Sequence, residues 1–303
     1  FIYKIYLLSI VQLYRPKIIM TFLDNNLLYH WLIRNDKTKR YMAIQNGIRQ
    51  KFEFDILEKI VPVEINHDYY FCFGEYDIDF HKKMGFSIKK SIPCGSLRLG
   101  MSQLDIKEVA KQYDICLLSN YKKTSKTINC SITNEINENN ILLDKYLQQY
   151  CKANKKSIIV ALRSHSNDEI NYFKSVYGND INLTSGHIQT YASYKASNQS
   201  EVTIAYQSTL LLEALAMRNK IIHIDFTNNS IFFDYKEPIK YVYQNYNDME
   251  KYINKIYSMD INKYIEITKE LQRYVMNYDS SKPPHTVVHN QINRIMEKKH
   301  YVN

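Results

Sequence analysis

The sequence predicts an α/β protein made of two doubly wound parallel sheets. Short β-branched and apolar runs recur along the 303 residues and alternate with helical stretches, the order that parallel sheets require. The run at 201–206 is β-branched and apolar rather than alternating, as a buried parallel strand is. Residues 201–226, EVTIAYQSTLLLEALAMRNKIIHIDF, hold one complete strand–helix–strand unit.

The first series predicts strands at 17–23, 41–45, 69–73 and 89–93, with helices at 27–34 and 76–84. The second predicts strands at 115–119, 157–162, 180–183, 201–206, 221–226 and 240–243. Its helices fall at 141–152, 168–177, 190–196, 210–217, 247–257 and 261–278. Strand periodicity is lost over 97–104, which puts the boundary there: an amino-terminal domain over 1–104 and a carboxyl-terminal domain over 105–282. The first is expected to be short by one or two β/α units. The polar stretch 122–140 reads as a mobile loop. Pro283-Pro284 stops the preceding helix, and a tail over 283–303 resumes a helical pattern at 286–297.

Within residues 201–226, Ser208 is a favourable N-cap for the helix that follows. Arg218-Asn219-Lys220 is expected to close that helix with cations at its negative end. A helix N-terminus at a strand end can receive a phosphate. Glu213 is the one charge inside that helix, four residues after Thr209 and so on the same face, where it suits ribose hydroxyls. A capped core helix accounts for the same residues.

The composition is 45% hydrophobic and 23% charged, ordinary for a globular chain. The net charge of +9 suits an anionic ligand such as a nucleotide-activated donor, or an anionic membrane surface. A generic basic surface accounts for it equally well. The cations are scattered without a nucleic-acid motif, so nucleic acid is not an expected partner. Five cysteines without paired spacing favour buried thiols and a reducing cytoplasm over disulfides. The apolar run at 5–13 is too short to span a membrane, and the basic charge is compatible with peripheral association at the inner membrane. His285-x-x-x-His289 is the one suggestive histidine spacing, and no metal or other cofactor is expected. Walker, GxGxxG and GxSxG patterns are missing from the sequence.

The polar residues at strand ends carry the functional reading, because ligands of open α/β sheets bind at the carboxyl ends of strands. After the first strand comes Asp24, and after the third Gly74-Glu75. Either acid, Asp24 or Glu75, is a candidate general base. Gln45-Asn46-Gly47-Ile48-Arg49 follows the second strand and offers Arg49 to a phosphate or carboxylate. Cys94-Gly95-Ser96 gives close backbone approach at Gly95 and a small donor at Ser96. These residues (Gln45, Asn46, Gly47, Arg49, Gly95, Ser96) form the expected cleft side of the first domain. In the second domain Arg163-Ser164-His165-Ser166 reads as a phosphate clamp opposite Ser208, Thr209 and Glu213.

Taken together, IQNGIR (44–49), FCFGE (71–75), IPCGSLRLG (92–100), ALRSH (161–165) and STLLLEAL (208–215) resemble bacterial surface-carbohydrate biosynthesis proteins. They are similar to glycosyltransferases of the GT-B type, whose fold is two facing Rossmann-like domains. More distantly, His165 with Ser208-Thr209 resembles the donor-binding motifs of CDP-glycerol glycerophosphotransferases and bacterial polysialyltransferases. In those families the His and the Ser/Thr bind the phosphate of a cytidine nucleotide. Ser166 stands where those relatives carry Pro. The resemblance covers about 17–225. It implies a transferase moving a sugar or polyol phosphate from a nucleotide-sugar or CDP-polyol donor to a glycan or lipid-linked acceptor, with domain closure expelling water. The alternatives are a nucleotide-sugar 2-epimerase-like enzyme and an inactive scaffold subunit of a polysaccharide-synthesis complex.

Overall fold

The computed structural model describes residues 2–49, 66–106, 109–121, 131–226, 240–242 and 245–297. Expectations that touch Cys130, Tyr243, residues 122–130 and residues 298–303 lie outside the described residues. The chain divides into two compact units, Phe1–Met101 with Arg273–Asn303, and Ser102–Gln272.

The first unit runs α1 (Ile2–Tyr14), β1 (Ile18–Thr21), α2 (Leu27–Asn35), β2 (Arg40–Ile44), β3 (Asn66–His67), β4 (Tyr69–Cys72), α3 (Glu75–Lys83), β5 (Ser87–Ile88) and β6 (Ser91–Pro93). Its main sheet has the order β1-β2-β4-β6, parallel throughout, and β3 pairs separately with β5. The two-residue period of a strand sends alternate side chains to opposite faces. Tyr41, Ala43, Tyr70 and Cys72 pack with Val11, Tyr29, Leu32 and Ile33 of α1 and α2. Met42, Ile44 and Phe71 point the other way and pack with Cys94 and Val288. Both faces are therefore covered, which is why the central runs Tyr41–Ile44 and Tyr70–Cys72 are apolar at every position. Each large side chain buried this way stabilises the unit by roughly 1.5–3 kcal/mol.

Val288 belongs to α11 (Pro284–Glu297), with Pro284 at the first helical position, where its missing N–H costs nothing. Val287, Ile292 and Ile295 of the same helix pack on that core cluster. The segment expected as a separate tail is thus one wall of the first unit. The chain reaches that wall across the carboxyl ends of the strands. Asn277 donates its N–H to the Phe73 carbonyl at 2.7 Å and its side-chain amide to the Pro93 carbonyl at 3.1 Å. Two glycines make room for it. A Cβ on Gly74 would overlap the Tyr274 carbonyl, and one on Gly95 would meet the Asn277 carbonyl at 3.2 Å. Gly95 also has φ +83, a left-handed conformation.

The stretch 97–104, where strand periodicity is lost, is helix α4 (Leu97–Asp105), which runs over the unit boundary. The second unit continues with β7 (Tyr113–Leu118), α5 (Ser131–Ala153), β8 (Ile158–Ala161), α6 (Asn167–Tyr177), β9 (Asn182–Thr184), α7 (Ala192–Asn198), β10 (Ser200–Ala205), α8 (Thr209–Ala216), β11 (Lys220–Asp225), β12 (Lys240–Val242), α9 (Tyr246–Ser258) and α10 (Ile261–Val275). Its sheet has the order β12-β11-β10-β7-β8-β9, all neighbours parallel. After β7 the chain builds outward through β8 and β9, then returns to lay β10 on the other side of β7. The strand order therefore reverses between β7 and β10.

Three local expectations are corrected here. Residues 131–140 of the expected loop are helical, part of α5. Their polarity misled because a polar position has a structural partner, the Asn139 Oδ1, which accepts the Phe226 N–H at 2.8 Å. Lys220 does not cap α8; it lies buried in β11 and donates Nζ to the Tyr257 carbonyl at 2.8 Å. The helix ends at Ala216, and the chain turns away at Arg218 in the left-handed region, φ +66. Ser208 stands at the N-cap of α8, but its hydroxyl makes no capping bond.

Cys72, Cys94, Cys116 and Cys151 are buried free thiols. Among the described residues no helix is long and apolar enough to cross a membrane.

Candidate functional site

In the second unit the loops after β8, β7 and β10 lie side by side, because β7 is flanked by β8 and β10. This is the reversal point of the sheet, where open α/β folds leave a ligand crevice.

The loop after β8 carries Arg163, Ser164 and His165 and is organised by a residue that sequence reasoning missed, Glu169. This carboxylate is fully buried. Its Oε1 accepts the Arg163 N–H at 2.8 Å, and its Oε2 accepts the N–H groups of Ser164 at 2.8 Å and His165 at 2.9 Å. The Ser164 hydroxyl adds a bond at 2.8 Å and the Ser119 hydroxyl one at 2.6 Å. Burial alone would raise the Glu169 pKa, but these donors hold it below the usual range. The signal was present in the sequence as Ser166-x-x-Glu169, a capping-box pattern. Ser166 does accept the Glu169 N–H at 3.2 Å, while the Glu169 carboxylate reaches past the cap to the three preceding amides.

That arrangement has a chemical consequence. The backbone N–H groups of this loop already hold an anion, the protein's own carboxylate. The Arg163 and His165 side chains are what the loop can offer an external anion. Arg163 is exposed. His165 adopts φ +53, and its buried Nδ1 has no hydrogen-bond partner.

The loop after β7 joins the other two. Ser119 meets Glu169 on one side, and the Asn120 side-chain amide donates to the Gln207 carbonyl on the other. Gln207 leads into Ser208 and the N-terminus of α8. Arg163, His165, Ser208 and Thr209 are thereby gathered on three laced loops. Glu213 is 3% exposed and its Oε2 accepts the Tyr194 hydroxyl at 2.8 Å, so it ties α8 to α7.

The first unit collects its predicted residues at strand ends as well, but largely turns them on one another. Asp24, after β1, and Arg49, after β2, were expected in separate roles. Instead the Arg49 Nε donates to Asp24 Oδ2 at 2.9 Å, Nη2 donates to Oδ1, and both side chains are buried. The Tyr70 hydroxyl donates to Asp24 Oδ2 at 2.9 Å, and Asn46 Oδ1 accepts from Arg49 Nη2. Gln45 is buried and splits its amide: Nε2 donates to Asp77 Oδ1 at 2.7 Å and to the Gly47 carbonyl at 3.1 Å, and Oε1 accepts the Phe73 N–H at 3.0 Å.

Asp77 also escaped the sequence reading. It accepts the Gly74 N–H at 3.1 Å, and burial pushes its carboxyl up to about 7 against those hydrogen bonds. Burial pushes the nearby His81 down to about 4. His67, enclosed with His30 and His81, lies far below its usual value for the same reason. Glu75 is exposed in the first turn of α3. Gly95 is taken up by the returning chain, and Ser96 is buried and accepts the Leu99 N–H at 3.3 Å. Among the described residues no group of three or more His, Cys, Asp or Glu side chains is placed to hold a metal ion.

Solved structures share this architecture. S. aureus MnaA, in a co-structure with UDP, matches 97% of this chain and 80% of its own at 10% identity, with a TM-score of 0.61. Methanocaldococcus jannaschii UDP-GlcNAc 2-epimerase, in complex with UDP-GlcNAc and UDP, matches 88% and 79% at 12% identity and a TM-score of 0.56. The wall teichoic acid polymerase TagF matches 87% and 70% at 10% identity and a TM-score of 0.52. At such identities the likeness establishes the fold: two parallel-sheet α/β domains consistent with GT-B. No curated protein matches the chain. The sequence pattern of the family described as "putative O-antigen biosynthesis protein" spans residues 42–297, and this protein belongs to that family.

Proposed function

We propose that the protein is a glycosyltransferase of surface-polysaccharide biosynthesis. It moves a sugar, or a polyol phosphate, from a nucleotide-activated donor to a glycan or lipid-linked acceptor. The observation that carries this reading is the lacing of three loops at the strand-order reversal of the second unit. It ties the loop of Arg163 and His165 to the loop that leads into α8, and these groups suit a diphosphate.

Arg163 supplies a planar charged fork and His165 a second nitrogen donor to the phosphates. Ser208 and Thr209 add hydroxyls at the positive end of α8. The Ser208 hydroxyl is not committed to capping the helix and so is available to the donor. These groups act where negative charge grows as the nucleotide departs, which is how a transferase lowers its barrier. Glu213 is assigned to docking α8 on Tyr194 rather than to the ribose. The acceptor binds on the first unit, where exposed Glu75 is the base that takes the proton of the acceptor hydroxyl. Asp24, engaged by Arg49 and Tyr70, shapes the loop that carries Gln45, Asn46 and Gly47. UDP, UDP-GlcNAc and CDPG appear in the structures of proteins with this fold, in keeping with a nucleotide donor here.

The test is a thermal-shift screen with CMP, CDP, UDP and GDP, followed by product analysis with the matching activated donor. Stabilisation by one diphosphate and acceptor-dependent release of that nucleotide is the expected outcome. No stabilisation by any of them removes the reading. Isomerised nucleotide-sugar formed without acceptor replaces it with an epimerase.

A further inference from the structure

We infer that Glu169 is the positioning residue of the donor site, acting through His165 and through Ser119, without touching the ligand. The inference rests on the functional reading above and goes beyond it. Glu169 is fully buried and receives five hydrogen bonds, from three consecutive backbone amides, Arg163, Ser164 and His165, and from two hydroxyls, Ser164 and Ser119.

A side chain that only capped α6 would accept the Ser166 N–H, which is none of these five contacts. The five fix a backbone shape that the loop would not hold alone. His165 is a non-glycine residue in the left-handed region, φ +53, a conformation that persists only where surroundings impose it. Its buried Nδ1 has no hydrogen-bond partner, so the backbone cage sets the direction of the ring. The same carboxylate reaches the neighbouring loop through Ser119, and Asn120 continues the connection to Gln207, next to Ser208. One buried charge thus sets the spacing between His165 and the N-terminus of α8, the distance that a diphosphate must bridge.

Glu169→Gln keeps the size of the side chain but turns an amide N–H2 towards backbone N–H donors, so it loosens the cage. The experiment is a double-mutant cycle on the intact protein, titrating the nucleoside diphosphate that stabilises the wild type. Glu169→Gln and His165→Ala should each weaken binding by roughly 10-fold, and the double variant should be no weaker than the worse single by more than about 2-fold. Losses that multiply, or a Glu169→Gln variant that binds within about 2-fold of wild type, overturn the positioning role. If Glu169→Gln does not fold by circular dichroism, Ser119→Ala takes its place in the cycle. It removes one of the five bonds, and a smaller loss is expected that again does not add to His165→Ala. A wild type that binds no diphosphate overturns the functional reading and this inference together. Wild-type binding that His165→Ala weakens and Glu169→Gln does not overturns this inference alone.

Discussion

Asp24 and Arg49, twenty-five positions apart in sequence, meet as a two-pronged ion pair in the interior of the first unit, Nε to Oδ2 at 2.9 Å and Nη2 to Oδ1. Each is about one-twentieth exposed. Removing one partner leaves an uncompensated buried charge, whereas removing both does not. Arg49→Leu should therefore cost about 3–5 kcal/mol in urea unfolding, and Asp24→Leu combined with it should recover part of that. Nucleotide affinity of the folded Arg49 variant should match wild type. An Arg49 variant of wild-type stability contradicts the pairing.

The two glycines beneath the returning chain give a second test. Gly95→Ala forces a side chain into φ +83 and against the Asn277 carbonyl at 3.2 Å. Gly74→Ala overlaps the Tyr274 carbonyl, where backbone would have to move. Each should destabilise the protein by about 1–3 kcal/mol, Gly74→Ala more than Gly95→Ala, read from chemical denaturation. Gly178 has φ +102 but nothing within 4 Å of an added Cβ. Gly178→Ala should therefore cost about 1 kcal/mol from strain alone.

Asp144 faces the Tyr172 hydroxyl at 2.8 Å, and burial pushes its carboxyl up to about 7. In the unfolded chain it ionises near 4. Below that value both states hold the proton and nothing is lost. Between about 4 and 7 the unfolded state sheds it and the folded state does not, so stability falls as pH rises; above about 7 the penalty is constant. Asp144→Asn keeps an acceptor for Tyr172 and removes the charge. It should be more stable than wild type by roughly 2–4 kcal/mol at pH 8 and equal to it at pH 3.5. Unfolding curves across that range check this, and a gap that widens towards acid contradicts it.

Two serines at helix starts separate capping from ligand binding. Ser166 accepts the Glu169 N–H, whereas Ser208 makes no side-chain cap. Ser166→Ala should lower stability by about 1 kcal/mol. Ser208→Ala should leave stability within about 0.5 kcal/mol and weaken diphosphate binding severalfold. Equal stability losses at the two positions would show that Ser208 caps α8 after all.

The alternation of strands and helices was legible because it depends on local periodicity. Runs such as Tyr41–Ile44 and Ile221–Ile222 are apolar at every position, whatever covers them. What covered them was less legible. Val288 supplies part of one face of the first sheet from a segment far along the chain from Phe71 and Cys94, and no periodicity in 283–303 says which sheet it joins. In the site, Arg163, His165 and Ser208 stood out as polar residues at strand ends. Glu169 did not, since acidic residues in a first helical turn are common and only the fold brings Ser119 to it. Arg49 stood out for its charge, but its partner Asp24 comes from another strand end. Pairings across strand order are set by topology rather than by neighbours in sequence.

The central claim is that the laced loops of the second unit hold the diphosphate of a nucleotide donor. Isothermal titration of the intact protein with the diphosphate selected by thermal shift tests it most directly, with Arg163→Ala and His165→Ala alongside wild type. Saturable binding by wild type is predicted, weakened about 10-fold or more by each substitution, as loss of a charged hydrogen-bonding partner implies. Equal affinity across the three proteins would place the nucleotide elsewhere and contradict the account.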